Sequence, residues 1–204
     1  PLITGGVDLS IGTGLVTYAL IGGYLVVQKG MPVGVGLLVC VLMGILIGTL
    51  NGVLVAIMDL PPFLATLCTC MITRGLGPAL CGGMGISWPS AMSEQGAFRN
   101  LFKFTTAEGK IIPIGIVSMI VLVIVMSFVL DHTRVGRYII AIGSNKEATR
   151  LAGVNVKFYH TLAYVICGLF AGLAGVAYAA YVSTIYPGTG AGFELDAIGG
   201  AIVG

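Results

Sequence analysis

Long apolar runs alternate with two polar stretches along this chain. The first run covers about 11–27, after a glycine-rich opening, and the second about 33–58. A third follows Pro61-Pro62 over 63–80, with breaks expected at Arg74-Gly75 and Gly77-Pro78. The fourth covers about 111–130, the fifth about 162–181, and a sixth starts near Leu195. Uninterrupted apolar runs of this length match a hydrocarbon core about 30 Å thick and predict transmembrane helices. The predicted fold class is therefore all-α, a polytopic transmembrane helical bundle. One membrane domain is expected over 1–204, cut short at both ends, because the chain starts and stops abruptly beside apolar sequence.

The polar stretches orient the bundle. Residues 85–110 carry Arg99, Lys103 and Lys110 with Glu94 and Glu108. Residues 131–160 carry Arg134, Arg137, Lys146, Arg150 and Lys157 against Asp131 and Glu147. The excess of basic residues places 131–160 in the cytoplasm. Counting crossings back puts 85–110 outside, Asp59 inside, Lys29 outside and Gly5–Ser10 near the cytoplasmic side. It also sets Asp8 and Asp196 near opposite faces.

Composition agrees. Hydrophobic residues form 57% of the chain and charged residues 9%, against roughly 25% charged in soluble domains. The net charge of +2 gives no reason to expect nucleic acid. Cys40, Cys68, Cys70, Cys81 and Cys167 form no metal-ligand spacing with His132 or His160, so no metal or cofactor is expected. There is no phosphate loop for ATP hydrolysis and no H-E-x-x-H or G-x-S-x-G motif. Gly44, Gly48 and Gly52 repeat every four residues in the second run, and Gly168 and Gly172 do so in the fifth. Small residues at that period let helices pack closely in lipid.

Three stretches carry the candidate chemistry. In Gly5-Gly6-Val7-Asp8-Leu9-Ser10-Ile11-Gly12, Asp8 and Ser10 either cap the first span or line a polar path at a helix break. In the stretch from Gly143 to Lys157, Ser144 or Asn145 can cap a short helix that has Glu147 in its first turn and ends at Gly153. Glu194 and Asp196 either line the outer mouth or cap the last helix. Asn51 and Thr66 are further path-lining candidates, with helix–helix hydrogen bonding as the alternative. An intramembrane aspartyl enzyme built on Asp8 and Asp196 is the remote enzymatic reading.

The run Glu147-Ala148-Thr149-x-x-x-Gly153 resembles the E-A-A-x-x-x-G coupling loop of ABC importer permeases, with Thr149 in place of the second alanine. The wider stretch from Thr133-Arg134-Val135-Gly136-Arg137-Tyr138 to Gly153-Val154-Asn155-Val156-Lys157 is similar to the ribose, xylose, arabinose and galactoside permeases. Their G-G-I-D-L-S-V-G signature resembles residues 5–12. Asn51-Gly52, Pro62-Phe63-x-x-Thr66-Leu67, Arg74-Gly75 and Gly192-Phe193-Glu194-Leu195-Asp196-Ala197-Ile198 also match.

The resemblance implies a type II-like importer permease for a monosaccharide, in the bacterial inner membrane. It implies a separate ABC ATPase subunit, a periplasmic or extracellular sugar-binding protein, a second permease chain (identical or not) and surrounding lipid. ATPase coupling would fall to Gly143, Asn145, Glu147, Ala148, Arg150 and Gly153. Nucleosides, branched-chain amino acids and autoinducer-type sugars are alternative cargoes on the same scaffold.

Overall fold

The structure is a computed structural model, and it describes residues 1–102, 104–105, 111–112 and 114–203. Lys103, Glu108 and Lys110 of the expected outer loop lie outside the described residues. The chain opens with a short 3-10 turn, Leu2–Thr4, and an irregular stretch to Ser10. Helices α1 (Ile11–Val27), α2 (Val33–Gly52) and α3 (Pro62–Cys81) follow, and α2 continues as a π-helical turn over Val53–Ile57. Two-residue strands β1 (Ile86–Ser87), β2 (Phe104–Thr105) and β3 (Ile111–Ile112) lie in the next segment with a 3-10 helix, Glu94–Leu101. Then come α4 (Ile114–His132), α5 (Arg134–Ser144), α6 (Lys146–Leu151), α7 (Val156–Tyr181), β4 (Thr184–Ile185) and α8 (Phe193–Val203).

Among the described residues, Val33–Ile57, Pro62–Cys81, Ile114–His132 and Val156–Tyr181 are long and apolar enough to cross a membrane. α1 has 17 residues, which at 1.5 Å per residue falls short of a full crossing. Its missing part is the non-helical segment before it. That segment keeps Gly6, Asp8 and Ser10 buried, as irregular backbone at membrane depth requires.

The third span differs from expectation. α3 runs unbroken through Gly75 and Pro78. Pro78 has no N–H to give Arg74 O, a single lost bond near the helix end that does not stop the helix, and Gly82 N–H caps the end on Pro78 O. The fourth helix starts later than the apolar run, because Ile111–Ile112 pairs antiparallel with Phe104–Thr105. The fifth helix starts earlier than the run: Asn155 accepts from Phe158 N–H at 3.1 Å, which extends α7 back to Val156.

The core is the packing of α1, α2 and α7. α2 crosses α7 where Gly44 and Gly48 face Gly168 and Gly172. A Cβ on Gly48 would lie 2.5 Å from Tyr164 O, and one on Gly168 would lie 2.8 Å from Gly48 Cα. A Cβ on Gly52 would meet Thr161 O at 2.9 Å. Only hydrogen fits at this crossing. At the opposite end from Gly52, β1 pairs with β4 and Trp88 Nε1 donates to Ala19 O at 3.1 Å. Arg99 is buried there and donates to Pro89 O at 2.8 Å, Trp88 O at 3.2 Å and Ala180 O at 3.4 Å. Burial lowers its pKa from the ordinary guanidinium value, and the three carbonyls oppose that by stabilising the cation. α4 buries no residue and packs mainly on α5.

Candidate functional site

A buried polar cluster forms where the irregular opening meets α2 and α3. Asp8 Oδ1 accepts from the Ser10 backbone N–H at 2.9 Å and from Ser10 Oγ at 2.6 Å. Asn51 Nδ2, from α2, donates to Ser10 Oγ at 2.9 Å and to Asp8 Oδ1 at 3.4 Å. Thr69 Oγ1, from α3, donates to Asn51 Oδ1 at 2.8 Å. A carboxylate at membrane depth costs about 2.5–3.5 kcal/mol on insertion scales, and these donors offset much of that. Ser10 is the N-terminal cap residue of α1, but its side chain makes no cap bond. It turns to Asp8 and Asn51 instead.

Thr66 donates to Val7 O at 3.2 Å and to Pro62 O at 2.9 Å. Asn51 and Thr66 have no exposed surface, and their polar atoms are committed to these bonds. Above them, Thr13 Oγ1 meets Thr73 Oγ1 at 2.9 Å and Thr17 Oγ1 donates to Thr73 O at 2.7 Å. α1 and α3 are thus joined by a seam of threonines. Sequence reading singled out Thr66 alone; the spacing of Thr66, Thr69 and Thr73 on α3, with Thr13 and Thr17 on α1, is the signal that could have found the rest.

Asp8 also lines a cavity of about 340 Å³, together with Ile11, Cys167, Ala197, Ile198, Ala201 and the first three residues. Its volume is at the lower end of small-molecule pockets. Among the described residues, Asp8 is its only acid. Crossing arithmetic set Asp8 and the start of the sixth run at opposite faces. In the structure the first turn of α8 lies beside the first turn of α1, since a Cβ on Gly12 would meet Glu194 N at 2.7 Å. The physical reason is that α1 begins part-way through the bundle rather than at its edge. Glu194 Oε1 accepts from Gly192 N–H at 3.2 Å, and Oε2 is buried without a protein partner. Asp196 is exposed in the first turn of α8, while Asp8 is held by Ser10 and Asn51.

The second candidate surface is α6. Asn145 Oδ1 accepts from Ala148 N–H at 2.9 Å, which caps this six-residue helix. Glu147 in its first turn and Arg150 in its last pair at 2.7 Å, each at the helix end that favours its charge. Gly153 has φ +82°, the left-handed conformation that lets the chain leave the helix. Gly143, Asn145, Glu147, Ala148, Arg150 and Gly153 are all exposed. A Cβ on Gly143 would also collide with Ile3 O, so this glycine seats the opening segment against α5. Thr149 is buried, and its hydroxyl donates to Asn145 O at 2.8 Å, which is how a threonine fits where the resembled motif has alanine. An open groove of about 400 Å³ runs between α5 and α6, bordered by Tyr138, Ala141, Ala148 and Thr149.

Comparison with known proteins bears on both surfaces. A family model described as branched-chain amino acid transport system / permease component matches residues 2–204. The chain is 34% identical over 205 residues to the ribose import permease protein RbsC of Escherichia coli (strain K12), covering all of this chain and 62% of that protein. It is 32% identical over 215 residues to the fructose import permease protein FruG of Bifidobacterium longum (strain NCC 2705), covering all of this chain and 60% of that protein. It is also 32% identical over 203 residues to the D-allose transport system permease protein AlsC of Escherichia coli (strain K12), again covering all of this chain and 60% of the relative. The chain therefore spans less than two thirds of the length of these relatives. No solved structure matches it.

Proposed function

Because the chain belongs to the family of branched-chain amino acid transport system permease components, a family of membrane permeases, we propose that it is the permease subunit of an ATP-driven importer that carries a monosaccharide. The observation that carries this reading is similarity along the whole of this chain to relatives named for ribose, fructose and allose import. The family is described by amino acid transport, but these relatives favour a sugar. Nucleosides, branched-chain amino acids and autoinducer-type sugars remain the cargoes to test against it.

In this proposal two permease chains enclose the pathway in the bacterial inner membrane. ATP is hydrolysed on separate ABC subunits, which dock on exposed α6. Glu147 and Arg150 present charge to them, and Asn145 and Gly153 hold the helix between its two ends. A sugar-loaded binding protein delivers cargo at the end marked by Trp88 and Arg99. Asp8 is the polar group offered to cargo in the cavity beside α8, with Ser10, Asn51 and Thr66 fixing its position. Glu194 and Asp196 stand at the entry of α8.

The test is uptake of labelled pentoses and hexoses by the complete permease with its ATPase and binding protein, with and without ATP hydrolysis. ATP-dependent uptake of one sugar is expected. Uptake of a nucleoside or amino acid alone would discard the sugar assignment, and uptake independent of ATP would discard the coupling assignment.

A further inference from the structure

The turn between α2 and α3 carries two departures from regular backbone. First, α2 does not end as an α-helix: over Val53–Ile57 it widens into a π-helical turn, with Met58 N–H on Val53 O and Leu60 N–H on Leu54 O, both at 3.1 Å. Such turns are rare and concentrate at functional positions. Second, Asp59 has φ +53° and is the one non-glycine residue at positive φ among the described residues. Left-handed backbone is uncommon outside glycine, although aspartate tolerates it better than most.

Each end of this irregular turn is tied to a candidate site. At its far end the Asp59 carboxylate lies 3.6 Å from Lys146 Nζ, and Lys146 is the first residue of α6. At its near end are Asn51, bonded to Ser10 and Thr69, and Gly52, whose carbonyl accepts from Thr161 Oγ1 at 3.2 Å. His160, one turn before Tyr164 on α7, is buried with neither ring nitrogen bonded to a protein group. The inner end of the bundle therefore holds an unsatisfied imidazole, a widened turn and a left-handed aspartate, features that a shift of the turn can relieve.

We propose that Lys146 and Asp59 link α6 to the α2–α3 turn, so that displacement of α6 re-registers the π-helical turn and moves Thr69 of α3 against Asn51. Loss of the extra residue in a π turn carries the chain beyond it about 1.5 Å along the axis and about 100° around it, relative to the helix before it. That step is large compared with the hydrogen-bond tolerance of the Asn51 amide. The pair is exposed and adds little to stability; its value lies in the two elements it joins. Asp59 and Lys146 are positioning residues, and their role rests on reading α6 as the ATPase-coupling helix.

The experiment measures sugar taken up per ATP hydrolysed by the complete transporter in proteoliposomes. Lys146→Glu and Asp59→Lys should each lower that ratio about threefold to fivefold, the range an exposed ion pair supports. The double exchange should return it to within about twofold of the parent. Asp59→Gly separates charge from backbone: glycine suits the left-handed turn, so a purely conformational role predicts no loss, whereas the link predicts the same loss as Asp59→Lys. Single variants with an unchanged ratio would overturn the link, as would a double exchange that fails to recover although its thermal unfolding matches the parent. Glu147→Arg is measured alongside. If it uncouples transport while the Asp59 and Lys146 variants do not, only the link fails; if it too is silent, the coupling reading of α6 fails with it.

Discussion

Replacing Gly168 by alanine tests the crossing of α2 and α7 directly. The new Cβ would stand 2.8 Å from Gly48 Cα and 3.0 Å from Gly48 N, both backbone atoms that cannot rotate away. Carbon atoms prefer about 3.5–4.0 Å, so the helices must part by roughly 0.7–1 Å. A gap of that size forfeits a quarter to a half of each contact worth about 0.1–0.2 kcal/mol. Over a few tens of atom pairs along the seam, the loss is about 1–2 kcal/mol, in line with overpacking in other cores. In lipid no hydrophobic gain from association makes up the difference. Gly75→Ala is the control: nothing lies within 4 Å of its missing Cβ, and alanine raises helix propensity by up to about 1 kcal/mol. Thermal unfolding of the purified full-length permease in one detergent should therefore put Gly168→Ala several degrees below the parent and Gly75→Ala at or above it. Equal midpoints for the two variants would refute the close-approach argument.

Asn51→Leu removes the amide that joins Ser10, Asp8 and Thr69, and should destabilise the protein by about 1–3 kcal/mol in the same unfolding assay. Asp8→Asn keeps the shape of the cluster and should weaken cargo uptake more than it lowers the unfolding temperature, if the cavity beside α8 receives cargo. Trp88→Phe loses the bond to Ala19 O and should cost about 1 kcal/mol with ATPase activity unchanged. Glu147→Arg breaks the pair with Arg150; it should reduce transport and ATPase stimulation while leaving cargo preference as it was, which a competition assay with unlabelled sugars reads out.

What the sequence disclosed and what it hid follow from the range of the forces involved. The α6 cap was readable because Asn145, Glu147 and Gly153 act within a single turn and its exit. The facing glycines were readable because their spacing repeats every four residues on each helix. α5 was hidden: its buried face is Gly136, Ile139 and Ile142, but Arg134 and Arg137 make the segment look like a charged loop. The early start of α7 was missed because polar Lys157 and His160 occupy its first turns, although His160 is buried. α1 was readable, because the apolar run 11–27 coincides with the helix Ile11–Val27; no local pattern shows that Asp8 and Ser10, just before it, bond to Asn51. The Lys146–Asp59 contact joins residues distant in sequence and has no local signature at all.

The two seams of the bundle tolerate movement differently. Between α2 and α7 the contact is backbone against backbone at Gly48 and Gly168, where a shift along either helix brings a bulkier residue into a space that admits only hydrogen. That pair behaves as one body. Between α1 and α3 the contact is made by threonine hydroxyls, and in the Thr13–Thr73 pair either oxygen can donate. A hydroxyl both donates and accepts, so such a ladder can exchange partners without stranding a buried group. The α1–α3 seam is therefore the less costly plane of slip. Asn51 stands on α2, and its amide joins Ser10 on one side of that plane to Thr69 on the other. It is the residue through which slip of α3 reaches Ser10 and the Asp8 carboxylate.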